Sequence, residues 1–481
     1  MFSPSIRQPT KERSALAAAA TSGRYTEYAS QVALGPSSKV VRIGTFNAES
    51  YWRPQARATL PVVHDPSTSE LVVAMDELLV PWCRPGSALV TMLPMHTAQA
   101  DYLRIIGLDF ESRSLFASVE RWRESGKPLC AYQVAAENHI AEAWPDFPLS
   151  PYAVTPSFYA LARSRGQSVW PDPVCVARVN SKVFSTRLNQ SIFPKSAIAV
   201  IRSLSDLQDF AKSLLDQPFL VKDPFGLSGK GHFLVSDAAG LARLQKFLSR
   251  QQNAGNQIEL VAEALLEKIT DFSCFCELSA NGRVTFRSVQ IMLNHGFSYI
   301  GSQPADQAFL TDLRRQNYFE TLEPFLRSVH DEGYWGPLCI DSMILRGNRI
   351  WPVVEINARE SMGIVARSVA DFLKEYGVSG LLTFLVFSSR GVQPYEYLLT
   401  ALEMSGLLWK PGRARGVLPL SSASLYSASA SERDGVRKGR WYAFLVAENL
   451  TECLGLRDRW MSLCASQPGW QVFERAHRQV S

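Results

Sequence analysis

Alternating strand and helix signals, followed by strand pairs and a closing helix, place this 481-residue chain in the mixed α/β and α+β class. Three stretches carry that expectation. Val40–Phe46, Glu70–Met75 and Ser87–Leu93 read as strands, with helical periodicity from His96 to Leu108. Ile350–Val354 and Gly336–Leu345 read as partner strands joined by the turn-like residues Arg346 to Arg349. Near the end, Leu418–Ser431 and Trp441–Val446 read as strands around a hairpin tip at Glu432–Gly435, before a helix over Leu450–Leu463.

In chain order, residues 1–38 read as a loose tail. Arg7, Lys11, Arg13 and the alanines 17–20 have the flavour of a leader, but Glu12 and Glu27 interrupt them and no hydrophobic core follows. The α/β layer then continues through a short strand at Leu129–Gln133 and a helix start at Asn138–Trp144. Pro148, Pro151, Pro156, Pro171 and Pro173 bracket a short helix, Ser157–Arg165, and mark a connection. Beyond it come an amphipathic helix at Ala177–Leu188, a strand at Ser196–Ile201, a helix at Ser205–Leu215 and the strand Pro218–Lys222.

The composition narrows the function classes. A net charge of +5 arises from 50 basic and 45 acidic residues without a long Lys/Arg run, so no nucleic-acid partner and no membrane surface is expected. The longest apolar runs, such as Leu381–Phe387, are far too short to span a bilayer. Of the eight cysteines only Cys274 and Cys276 are close in sequence, and no zinc-type spacing occurs; a reducing, cytoplasmic setting is expected.

The chemistry concentrates in two places. In Glu355-Ile-Asn357-Ala-Arg359, period-two alternation puts a carboxylate, an amide and a guanidinium on one face of a strand. With a five-residue loop, Asp341 lies opposite Glu355 on the same face, and oxygen ligands of this kind suit Mg²⁺. Upstream, Lys222 ends an apolar strand and is followed by Gly226, Ser228, Gly229, Lys230 and Gly231 before the strand Phe233–Val235. Such a glycine hairpin can close its amides over phosphates. It is not a Walker A loop, because Pro224 stands where glycine is needed.

Taken together the pieces resemble the ATP-grasp superfamily over about residues 175–370. The order matches: Lys182 within Asn180-Ser-Lys-Val, Lys222 before the loop, a hinge at Glu263–Leu266, then Asp341 and Glu355-x-Asn357-x-Arg359. Gly336-Pro before Ile340-Asp341, and Ser361-Met-Gly363 after the motif, resemble the ATP-grasp amide and peptide ligases of natural-product pathways, the pheganomycin peptide ligase group. The loop is less glycine-rich than in several of those relatives.

The resemblance implies an ATP-grasp core at 171–373, with a lid at about 195–262. An α/β pre-ATP-grasp domain at 39–170 precedes it, and a small α+β extension at 374–481 serves as a substrate cover or homodimer contact. It implies that Lys182, Lys222 and Lys230 contact ATP phosphates under the 226–231 loop, and that Glu263, Ala264 and Leu266 hold the adenosine. Asp341, Glu355 and Asn357 would hold two Mg²⁺, for which Mn²⁺ is a substitute. Arg359, with Lys222 and Lys230, would act on an acyl phosphate, and Gln290, His295, Tyr299, Ser302, Ser361 and Gly363 would border the substrate. The implied activity joins a small-molecule carboxylate to an amine. A kinase that stops at phosphorylation, or a non-catalytic nucleotide binder, are the alternatives.

Overall fold

The computed structural model describes residues 39–61, 66–126, 130–137, 144–167, 170–215, 217–226, 231–390, 394–427 and 435–473, without the side chains of 66–69 and 119. Three sheets organise them.

The first sheet is parallel, in the order Phe110–Ser114, Ser87–Thr91, Val41–Ile43, Leu149–Pro151. Its two central strands are buried along their whole length, as covered parallel strands are. Two expected strands are helical instead. Glu70–Met75 lies in the helix Pro66–Val73 and the 3₁₀ segment Ala74–Trp82 that continues it. Every residue of that segment except Pro81 is buried, Asp76 and Glu77 included, so no exposed polar face betrays a helical period. Leu129–Gln133 gives way to the helix Ala131–Glu137, Leu129 itself lying outside the described residues. The helix start expected at Asn138–Trp144 falls, but for Trp144, outside them too.

The second sheet is antiparallel, in the order Ile198–Ile201, Leu260–Ala264, Phe219–Lys222, His232–Val235, and has its own apolar cluster against the helices Leu204–Ser213 and Ala238–Asn253. The helix expected over Ala177–Leu188 is two helices, Pro173–Asn180 and Lys182–Ile192. Ser181 between them is extended, and its hydroxyl accepts from the Val183 N–H at 3.3 Å. That break sets Lys182 at the start of a new helix.

The third sheet has nine antiparallel strands. Eight run in the order Arg349–Asn357, Gly336–Leu345, Lys268–Leu278, Val284–His295, Ser298–Pro304, Gly380–Arg390, Val436–Val446, Gly416–Pro419, and Trp470–Phe473 pairs with Gly380–Arg390. The C-terminal strands therefore extend the sheet that carries Asp341 and Glu355. The strand expected over Leu418–Ser431 stops at Pro419, which has no N–H to give the ladder, and the chain turns into a 3₁₀ segment at Ala423–Leu425. Residues 428–434, with the expected hairpin tip, lie outside the described set. No helix among the described residues is long and apolar enough to cross a membrane.

Candidate functional site

Asp341 does pair with Glu355, but by a different route from a five-residue loop. The ladder closes at Leu345↔Arg349 with three residues between, and a bulge between Met343↔Trp351 and Asp341↔Glu355 absorbs two more on the second strand. Pro352 sits in that bulge, where its missing N–H costs no ladder bond, and its carbonyl accepts from the Ser342 hydroxyl at 2.6 Å. The bulge aims both carboxylates into a cavity of about 590 Å³ between the second and third sheets.

At one end of this cavity the side chains interlock. Lys182, 5% exposed, donates to Glu355 Oε1 at 3.0 Å and to the Gly226 carbonyl at 2.8 Å. Lys222, equally buried, forms an ion pair with Glu263 on the neighbouring strand. Asn357 donates its amide N–H to Asp341 at 3.1 Å and accepts from Arg359 Nη2 at 3.0 Å, an orientation fixed by this network. Burial first, then the facing Glu355, push the Asp341 carboxyl up to about 7, with Arg359 pulling against them. Two carboxylates and an amide on one face are hard-oxygen donors whose repulsion a divalent cation would relieve. Among the described residues no group of three His, Cys, Asp or Glu side chains is placed to hold a metal. A cation here would thus draw further ligands from water or a phosphate.

Arg359 is clasped by residues that sequence reading missed. Its Nε donates to Glu49 Oε1 at 2.6 Å, its Nη1 to the Tyr152 hydroxyl at 3.3 Å, and its guanidinium lies 5.7 Å from the Tyr152 ring centre. Burial works against the charge, yet Glu49, Tyr152 and Glu355 raise its pKa further, so it stays cationic. Glu49 is 310 residues away in sequence, and no local signal could have found it. His232, which also lines the cavity, is pushed down to about 3 by burial and by Lys222, Lys182 and Lys268, and is neutral.

The other expected residues divide. Gly226, Ala264, Leu266, Tyr299, Ser361 and Gly363 line the cavity with Lys222, Glu263, Asp341, Glu355, Asn357 and Arg359. Gly231 closes the loop at φ +84°, where a Cβ would meet Gly226 Cα at 3.1 Å. Ser228, Gly229 and Lys230 lie outside the described residues. Ser302 is buried behind Tyr299, their hydroxyls 2.9 Å apart. Gln290 is 1% exposed, packed against Gly363, and neither amide atom has a hydrogen-bond partner among the described residues. His295 is exposed at a hairpin end and does not line the cavity.

Neither a protein-family model nor a curated protein sequence matches the chain. Solved structures do. The pyruvate carboxylase of Rhizobium etli is similar with a TM-score of 0.50 and 13% identity, over 91% of this chain and 38% of that one. This likeness is one of fold. The fold is the ATP-grasp fold, with an α/β layer before it and α+β strands after it. Two further similar structures are N5-carboxyaminoimidazole synthetase from Staphylococcus aureus (TM-score 0.49, 13% identity, 89% of this chain, 98% of that one) and L-amino acid ligase from Bacillus licheniformis (0.46, 12%, 90% and 98%).

Proposed function

We propose that this protein is an ATP- and Mg²⁺-dependent carboxylate–amine ligase that forms an amide or peptide bond on an amino acid or small peptide-like substrate, through an acyl phosphate. One observation carries the reading: a single cavity gathers buried Lys222, the Asp341–Glu355–Asn357 face and a cationic Arg359, with buried Lys182 bonded to Glu355 at its wall. Pure nucleotide binding would not need all of them.

In this reading Lys182 and Lys222 exchange their present partners, Glu355 and Glu263, for phosphate oxygens of ATP. The Glu263–Leu266 segment borders the adenosine, and Lys230 is a third contact to the phosphates. Asp341, Glu355 and Asn357 hold two Mg²⁺, which when bound neutralise charge between phosphate and incoming carboxylate. Arg359, held by Glu49 and Tyr152, faces the oxygen that gains charge when the amine attacks the acyl phosphate. An acyl phosphate hydrolyses in water, so the reaction requires that water be kept from it until the amine attacks. The finer likeness is to the peptide ligases of natural-product pathways, and the setting proposed is cytoplasmic.

The test supplies ATP, Mg²⁺ and pooled amino acids, and follows phosphate release together with product mass. A ligase yields ADP, phosphate and a condensed amide. ADP with a phosphorylated product and no amide would make the protein a kinase, and no nucleotide turnover with any pool would defeat the reading.

A further inference from the structure

The far end of the cavity is built differently. Here the lining includes Met75 from the N-terminal 3₁₀ segment, Tyr299, Phe384, and Arg440 and Tyr442 from the strand Val436–Val446. Apolar and phenolic surface predominates, with one cation. The Arg440 guanidinium lies 5.2 Å from the Phe384 ring centre, and its Nη1 donates to the Tyr442 hydroxyl at 3.3 Å. That hydroxyl in turn bonds to Met75 Sδ at 3.3 Å, which fixes the phenol. Arg440 Nε is fully buried with no hydrogen-bond partner, and among the described residues no carboxylate pairs with the guanidinium. The contrast with Arg359, which Glu49 neutralises, is direct. A partly buried guanidinium, oriented by a ring face and a phenol and lacking a counter-charge, is preorganised for an anion that arrives from solution. Tyr152 and Arg359 line the same cavity as Tyr299, Tyr442 and Arg440, so the two arginine groups flank one chamber.

We propose that Arg440 anchors the unreacting carboxylate of an apolar or aromatic α-amino acid, whose side chain lies against Met75, Tyr299 and Phe384 and whose amine points toward the Arg359 group. The site is the amine-substrate subsite of the ligase, and the proposal rests on that reading. Planar two-point recognition of a carboxylate is what a guanidinium offers and an ammonium does not. The apolar walls disfavour a second charge on the side chain, because a buried charge without a partner is costly.

The decisive measurement is calorimetric titration of the full chain, loaded with Mg²⁺ and a non-hydrolysable ATP analogue, with L-phenylalanine, L-leucine and the corresponding carboxamides. The acids are expected to bind roughly ten- to hundredfold more tightly than the amides, the range for hydrogen bonds to a charged group. Arg440→Gln should bind the nucleotide analogue as before while losing the preference of acid over amide, and Arg440→Lys should keep only part of it. Amides that bind the wild type as well as the acids, acids that do not bind at all, or a preference that survives Arg440→Gln would each overturn the assignment. If Arg440→Gln does not fold, the wild-type comparison and Arg440→Lys still decide. The two readings fail separately. A protein that does not bind Mg²⁺–nucleotide is not the ligase, whereas one that binds it and condenses substrates without regard to a free carboxylate loses only the role given to Arg440.

Discussion

The two ends of the cavity solve opposite electrostatic problems. At the Asp341–Glu355 end three described cations already have a carboxylate partner: Lys182 with Glu355, Lys222 with Glu263, Arg359 with Glu49. Such pairs keep buried charges tolerable, and under the proposed function those of the two lysines would be exchanged for phosphate contacts. At the Arg440 end a single cation waits on an aromatic face. The first end is suited to a highly charged ligand that brings its own cations. The second is suited to a ligand with one charge and an apolar body. Under the proposed function, this arrangement would separate the energy source from the substrate.

The largest effect expected from this contrast is at the charged end. Glu355→Ala removes a proposed cation ligand and leaves buried Lys182 without its carboxylate. Turnover, read as ADP release, should fall about a thousandfold or more, because several kcal/mol of transition-state charge stabilisation are lost. Unchanged turnover would remove Glu355 from the cation site, and the charged end would then be a structural ion-pair cluster.

That end was also the more legible one in the sequence, for a physical reason. Asp341, Glu355 and Asn357 lie within one hairpin, where alternation and pairing convert spacing into geometry, and Arg359 follows two residues past the end of its second strand. Even so, the pairing came from a three-residue turn plus a bulge, which spacing alone cannot distinguish from a longer loop. Lys182 was legible as a residue, while the break at Ser181 that frees it was not, since a capping serine also reads as an ordinary helical position. Of the far end, only Tyr299 was legible. Met75, Phe384, Arg440 and Tyr442 come from segments up to 367 residues apart, and Met75 sits in a segment whose uniform burial hides its helical period. The fold class followed from local patterns; the chamber depends on long-range packing, on which the sequence is silent.

A smaller effect is expected from Glu49→Gln, which keeps the shape beside Arg359 and removes the charge. If Glu49 acts by positioning, kcat should fall roughly ten- to hundredfold, as for supporting groups around a reactive centre, with nucleotide affinity unchanged. A parallel loss of nucleotide affinity would instead mean that the N-terminal segment props up the whole charged end, and the two ends would no longer be energetically separate.

The smallest effect is a pH slope, and it tests whether the two ends titrate independently. Besides Asp341, Glu77 is held up at about 7 by burial, although N–H groups of Ser422 and Ala423 and the Ser422 hydroxyl, at 2.7 Å, favour its charged form. Glu77 ties the 3₁₀ segment carrying Met75 to the C-terminal strands, so it belongs to the Arg440 end. For a carboxyl whose folded pKa is raised, the folded state keeps a proton that the unfolded state has released. Stability from such a group is full below about pH 4, declines as pH rises toward about 7, and is flat above it, worth a few kcal/mol at most. The melting temperature should therefore fall between roughly pH 4 and pH 7. Saturating Mg²⁺–nucleotide should remove the Asp341 share of that fall, because a bound cation favours the ionised carboxylate. Glu77→Gln should remove its own share, with or without nucleotide, leaving that of the neighbouring Asp76, which burial also holds well above the usual carboxylate range. If Mg²⁺–nucleotide flattened the slope in the wild type completely, Glu77 would be responding to the charged end, and the chamber would be one coupled electrostatic unit.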